Sequence, residues 1–356
     1  MVRHTIKASF VLMDFDKRNP RPRLTRRHVI ATGCSALASP ALAQSDLWTT
    51  VADQARSMDQ CHALMVRQNG AEVLAESFRG PGLNRAAPVK SVSKTIVAAL
   101  TGAALDRGEI PSMNTTLADI APRLIPASAD ERVAALTVEN LVTMQAGLER
   151  TSGGNYGGWI SSRDWVADAL TRPFVAQPGR RMLYSTGSFH ILGAVLSTVS
   201  DKSLLVLARE RLGAPLDIEI PAWTRDPQGR YLGGNEMALT LVGMARFGEL
   251  YLANGQWNEK QVLSRDWVEK SLEPRTSSPF SGLAYGYGWF LGSSGGTKYA
   301  LARGYGGQVI CIAPELDLSI ALTSDPTRPA RSGGYFGDIM ALIDNAIIPA
   351  ARQTRL

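Results

Sequence analysis

The sequence predicts an α+β fold: one antiparallel sheet built from strands at both ends of the chain, flanked by helices, with a mostly helical region inserted between them. Three observations predict it. Two alternating runs flank Asn69-Gly70 in CHALMVRQNGAEVLAESF, the strongest short-range hairpin signal. From about 109 to 275 the apolar spacing is mostly helical and broken by Gly/Pro loops. After 283 the period shortens to that of strands. Strands at opposite ends of the chain must therefore meet in one sheet.

In chain order, a helix over about 46–58 precedes the hairpin. KSVSKTIVAALTGAALDRG, residues 90–108, reads as an amphipathic helix closed by Gly108. TVENLVTMQAG, SSRDWVADALTRP, TGSFHILGAVLSTVS, LTLVGMARFGELYLANG and SRDWVEKSLEP carry the helical period; AYGYGWFLG, TKYALARG, GQVICIAP and LDLSIALTS carry that of strands. A last helix is expected over about 335–348. Residues 44–356 thus form one domain, with 44–108 and 276–356 as its α/β part and about 109–275 as its helical part. No internal repeat, heptad run or low-complexity segment interrupts it.

Residues 1–43 stand apart. They hold eight basic residues and two acids, which is the whole formal net charge of +6 on 356 residues. The remainder is neutral, so no basic patch points to nucleic acid. RPRLTRRHVIATGCSALASPALAQS has paired Arg26-Arg27, a short weakly apolar run and Ala41-Leu42-Ala43, the pattern of a charged region, an h-region and an A-x-A cleavage site. The arginine pair points to the twin-arginine route, with the translocase and signal peptidase as partners during export. The apolar run is too short and too rich in Ala, Ser and Gly to anchor the chain in a bilayer. The expected product is a periplasmic protein starting near Gln44. Its two cysteines, Cys61 and Cys311, are expected as buried thiols in strands, although that compartment permits a disulfide.

The chemistry is narrowed by what is missing. After the leader only His62 and His190 remain, with no H-E-x-x-H, C-x-x-C or phosphate-binding G-x-x-x-x-G-K-[ST], so neither metal nor cofactor is expected. Gly292-Ser293-Ser294-Gly295-Gly296 matches G-x-S-x-G, but that elbow needs a following helix and a later histidine; here a strand follows and no histidine does. It reads as a hairpin turn. Ser91 and Lys94 are left. A lysine in a first helical turn opposes the positive end of the dipole, so either it points to solvent or something offsets its position. Residues i and i+3 share a face. Burial would lower the lysine's pKa, and a neutral Lys94 could take the proton of Ser91, making a nucleophile without histidine.

Two more segments give this pair a context. MLYSTGSFHILGAVL places Tyr184 before a helix start, and ARGYGGQVICIAPELDLSIALTS places Gly304-Tyr305-Gly306-Gly307 at the opening of a strand. With S-x-x-K ahead of them, this order resembles the serine beta-lactamase and penicillin-binding superfamily over about 60–345. It is most similar to the class C-like serine hydrolases, including D-aminopeptidases, family VIII-type esterases and 6-aminohexanoate-dimer hydrolases. The resemblance implies Ser91 as the acylated nucleophile, Lys94 as its base or proton partner, and Tyr184 as a second relay. It implies an oxyanion hole from the N–H of Ser91 and one from Tyr305, Gly306 or Gly307. Thr186, Asn235 and Gly304 would touch substrate, and Tyr156 and Trp159, in SGGNYGGW, would line the entrance.

Two departures bear on specificity. Y-x-N reads Tyr184-Ser185-Thr186, so the amide is missing. K-T-G is read as Gly304-Tyr305-Gly306, so no cation is expected to face the substrate from that strand unless an arginine such as Arg303 substitutes from the neighbouring position. The combination implies hydrolysis of a small ester or amide. Beta-lactamase, D-alanyl carboxypeptidase or D-aminopeptidase activity is the alternative, and a non-catalytic penicillin-recognising-like binding protein is another.

Overall fold

The computed structural model describes residues 40–354; the arginine pair and the rest of the expected leader lie outside them, apart from its last residues. Strands follow in chain order as β1 (Cys61–Gln68), β2 (Ala71–Ser77), β3 (Ala87–Pro88), β4 (Ala238–Leu239), β5 (Gln256–Trp257), β6 (Lys260–Gln261), β7 (Thr276–Ser277), β8 (Ala284–Tyr285), β9 (Phe290–Ser294), β10 (Thr297–Gly304), β11 (Gln308–Ala313) and β12 (Leu318–Ser324). Eight of them form one antiparallel sheet in the order β2-β1-β12-β11-β10-β9-β8-β7. The expected meeting of the two chain ends is the β1–β12 pair, which runs from Cys61↔Ser324 to Gln68↔Leu318 with a register shift between Cys61 and Ala63.

Local chemistry explains the turns. Asn69 and Gly70 both have positive φ, 51° and 72°, as a two-residue turn between β1 and β2 requires. Gly295 and Gly296 do the same between β9 and β10, so G-x-S-x-G is a hairpin turn with no catalytic elbow. Every residue of β11 and β12 is buried, so both faces of the sheet are covered. The first helix, Pro40–Ser57, contributes Trp48, Val51, Ala52 and Ala55 to the core. It starts ahead of the expected cleavage point, yet all four of these anchors lie beyond Gln44. The last helix runs from Tyr335 to Gln353 through a π turn at Ile343–Ile347. Buried Gln68 ties it to the sheet by donating to Ala351 O at 2.8 Å.

Two expectations change. The Leu241–Leu252 helix, read as part of the helical insert, lies against the sheet: Ser319 Oγ donates to Ala245 O at 3.1 Å and Glu249 pairs with Arg67 at 2.7 Å. The Ser93–Asp106 helix is not amphipathic, since Ser93 through Ala104 are all buried. Its small residues let it run through the centre of the molecule, packed on the Thr186–Ser200 helix, with Gly102 against the Trp267 ring. Cys61 and Cys311 are free and buried. They sit on β1 and β11 with β12 between, Cys61 paired with Ser324 and Cys311 with Ile320, so two strand spacings and a four-residue offset along the strands separate them.

Candidate active site

The chain turns sharply at Ser91. Lys90 has φ 52°, a left-handed conformation for a residue with a Cβ, and a 3₁₀ turn over Lys90–Val92 leads into the Ser93–Asp106 helix. The turn is riveted from two sides. Ser93 Oγ donates to Lys90 O at 2.6 Å and accepts from Met237 N at 3.1 Å. The short β3–β4 ladder holds the Gly233–Leu239 segment alongside, and Lys90 pairs with Glu236 at 2.9 Å.

Lys94 is one turn further on and almost wholly buried, 2% exposed. Its Nζ lies 3.0 Å from Ser91 Oγ, 3.2 Å from Thr186 Oγ1 and 2.6 Å from Gly234 O. None of these neighbours is charged, and burial brings its pKa down to about 7. The two donors of a neutral amine can serve Gly234 O and Thr186 Oγ1, which leaves the lone pair for the Ser91 hydroxyl. What offsets the position of this lysine is a more readily lost proton rather than a counter-ion.

Gly234 reaches Lys94 because the glycine pair lies directly on the Thr186–Ser200 helix. A Cβ on Gly233 would stand 2.2 Å from Phe189 O, so only glycine permits this approach. Beneath it, buried His190 Nδ1 accepts from Gly233 N at 3.3 Å, and Nε2 is 3.1 Å from Asp226 Oδ2. The second histidine of the domain therefore supports the strip that holds Lys94.

Tyr184 precedes the Thr186–Ser200 helix. The orphan amides at that helix start are satisfied from another loop: Thr186 N donates to Ser152 Oγ at 2.8 Å and Gly187 N to Thr151 Oγ1 at 2.7 Å. This fixes the segment so that the Tyr184 ring lies 5.0 Å from Lys94 Nζ, with its hydroxyl on the Ser91 side. Burial raises the pKa of Tyr184, so it holds its proton at neutral pH.

Ser91 and Tyr184 open into a cavity of about 620 Å³ that is also lined by Tyr156, Thr186, Asn235, Gly304 and Tyr305. Asn235 Nδ2 donates to Tyr156 Oη at 2.8 Å. The end of β10 abuts the Ser91 turn: a Cβ on Gly304 would stand 2.3 Å from Val89 O.

Several expectations are corrected here. Trp159 does not line the entrance: it is fully buried, donates Nε1 to Trp165 O at 2.8 Å, and packs with Trp165 and Leu232 in a small cluster of its own. Burying so large an apolar ring outweighs leaving it on a wet wall. Gly304 closes β10 rather than opening a strand, and Tyr305–Gly307 form the turn into β11. Gly307 spends its amide on Gly304 O at 3.1 Å, which removes it as an oxyanion donor. A cation does face the cavity from this strand: Arg303, one residue before the glycine, lines it and stacks 3.5 Å from the Phe336 ring centroid. Glu236, Arg150, Ser152, Phe280 and Phe290 also line it and carried no motif signal.

Comparison with known proteins places this arrangement. Residues 53–341 match the profile of the Beta-lactamase family. The chain belongs to that family. It is accordingly a serine hydrolase of the beta-lactamase fold. No curated protein sequence matches it. Among solved structures it is similar to a Bacillus anthracis protein assigned as a 6-aminohexanoate-dimer hydrolase, at 21% identity and TM-score 0.70, over 86% of this chain and 81% of that one. The octameric penicillin-binding protein homologue from Pyrococcus abyssi shares the fold at 16% identity and TM-score 0.66, over 84% and 76%. EstCE1, a hydrolase with promiscuous acyltransferase activity, does so at 14% identity and TM-score 0.68, over 85% and 98%.

Proposed function

We propose that this Beta-lactamase family member is an exported esterase or amidase that works through an acyl-enzyme on Ser91. The observation that carries the reading is the buried Lys94 amine, 3.0 Å from Ser91 Oγ, with neutral neighbours and a pKa lowered to about 7. A group poised near neutrality is what a general base requires. Neutral Lys94 takes the Ser91 proton as Oγ attacks the carbonyl carbon. The oxyanion is received by the N–H groups of Ser91 and Tyr305. Tyr184, protonated at neutral pH, delivers a proton to the leaving oxygen or nitrogen and is reprotonated from Lys94. A water entering on the same side then releases the acid by the reverse route.

The EstCE1 and 6-aminohexanoate-dimer hydrolase likenesses support ester and amide substrates. The paired arginines and A-x-A site of the leader support periplasmic export, with cleavage near Gln44. Arg303 supports a second reading, because a guanidinium in the cavity can bind the carboxylate of a beta-lactam or D-alanyl peptide. Labelling by a fluorophosphonate probe tests the catalytic reading: Ser91 should be the modified residue, and labelling elsewhere would overturn it. The ratio of kcat/KM for p-nitrophenyl butyrate to that for nitrocefin separates the two substrate classes. A ratio above one supports the esterase, and one well below it supports the beta-lactamase. Replacing Arg26 and Arg27 by lysine should leave unprocessed precursor in the cytoplasm.

A further inference from the structure

A second cavity, about 520 Å³, adjoins the first, and the two share Arg150, Tyr184 and Phe280 as walls. Arg180 and Arg181 complete a trio of guanidinium groups around it, and no carboxylate lines it. Among the described residues, none of the three arginines is in an ion pair. Arg172, by contrast, is held by both Glu149 and Asp168. Arg150 is instead stacked 5.2 Å over the ring of Phe280, which is itself 61% exposed. Arg181 Nη2 is steered by Val175 O at 3.0 Å.

The segment carrying Arg180 and Arg181 is fixed along its length. Gln145 Nε2 donates to Gly179 O at 3.0 Å and to Arg180 O at 2.7 Å; Gly179 N donates to Gln145 O and Leu183 N to Met144 O, both at 2.8 Å. Three like charges on a tethered wall repel one another, and no carboxylate offsets that repulsion. A concave surface lined by one sign of charge concentrates counter-ions, and guanidinium forks match carboxylate and phosphate oxygens.

We infer that this second cavity is an anion subsite, and that the substrate carries a carboxylate or phosphate several bonds from the scissile carbonyl. The acidic end lies among Arg150, Arg180 and Arg181 while the carbonyl faces Ser91. The catalytic half of that statement rests on the acyl-enzyme reading above; the anion half stands on its own. It concerns a different wall from Arg303, which sits on β10.

Binding to the full chain carrying Ser91→Ala tests it without turnover. The probes are monomethyl esters of the straight-chain diacids from glutaric to suberic acid, titrated calorimetrically against the corresponding dimethyl esters. At one or more chain lengths the monoester should bind about tenfold more tightly, the scale of one charge-assisted contact, and the preference should shrink as salt is raised. Adding Arg150→Gln, Arg180→Gln and Arg181→Gln together should erase it. Equal affinity for monoester and diester at every length would overturn the inference, as would a preference unchanged by the arginine replacements, which would assign it to Arg303. Inorganic phosphate separates the two anion sources: displacement of the monoester extends the site to phosphates, and its failure restricts it to carboxylates. Hydrolysis of the dimethyl esters by the wild-type chain tests the catalytic reading separately.

Discussion

Lys90 and Lys94 stand on either side of Ser91 and solve the cost of a buried cation in opposite ways. Lys90, at the cavity rim, keeps a carboxylate partner, Glu236, at 2.9 Å. Lys94, one turn deeper, has a carbonyl and two hydroxyls around it and gives up its charge. The same side chain is therefore a structural cation in one place and a proton acceptor in the other. The two sites differ in burial and in partner, and desolvation and charge pairing act in opposite directions on an amine.

The comparison can be broken most severely at the serine it flanks. Ser91→Ala should lower kcat by about six orders of magnitude, as nucleophile deletions do in other serine hydrolases. Probe labelling should vanish, and the circular dichroism spectrum should stay unchanged. Lys94→Met comes next, with a loss of about 10²–10⁴ in the acylation rate. It should also raise the melting temperature. The folded-state pKa of Lys94 is about 7, below the ordinary 10.5. Between those values the unfolded chain binds the extra proton, so wild-type stability rises with pH across that window. The gain from Met should therefore be larger at pH 6 than at pH 10, and a gain independent of pH would mean that Lys94 does not titrate in the fold.

Tyr184→Phe keeps the ring beside Lys94 and removes the relay. A fall of about 10²-fold is expected for an anilide, whose leaving nitrogen needs a proton, and a smaller fall for a p-nitrophenyl ester, whose leaving group does not. Thr186→Asp sharpens the contrast by giving Lys94 the partner that Lys90 already has. A carboxylate near 3 Å should raise the Lys94 pKa by a unit or more. Activity at pH 7 should then drop about tenfold and recover toward pH 9; an unshifted pH–rate profile would show that another group is the base. The smallest effect is expected from Glu236→Gln, which leaves a part-exposed Lys90 alone. Such a pair contributes about 1 kcal/mol at most, so kcat/KM should change less than fivefold.

Much of this was legible in the chain because it is local. The Asn69-Gly70 turn, the strand period after 283 and the i, i+3 placement of Ser91 and Lys94 each depend on a few neighbouring residues. The position of Tyr184 needed only the order of motifs. The rest depends on pairings between distant segments. Whether Trp159 faces a cavity or a core is set by Trp165 and Leu232, and helical periodicity does not distinguish those two faces. In ARGYGGQV the glycines allow more than one register for a three-residue motif. Only the close approach of Gly304 to Val89 fixes it, and with it the place of Arg303. Glu236, Ser152 and the His190–Asp226 pair lie outside any motif and act on groups far away in sequence.

The sheet order has a consequence for how the molecule is made. β1 emerges early, but on one side its partner is β12, and the end of β1 is tied through Gln68 to Ala351, 283 residues along the chain. Until the last strands have left the ribosome, the first hairpin has a bare apolar edge and the central helix has no sheet to lie on. Closure of so long a loop is slow, and exposed edges invite association with other chains. Assembly of this protein is therefore post-translational, and the interval between the end of synthesis and the docking of β12 is when it most needs a chaperone.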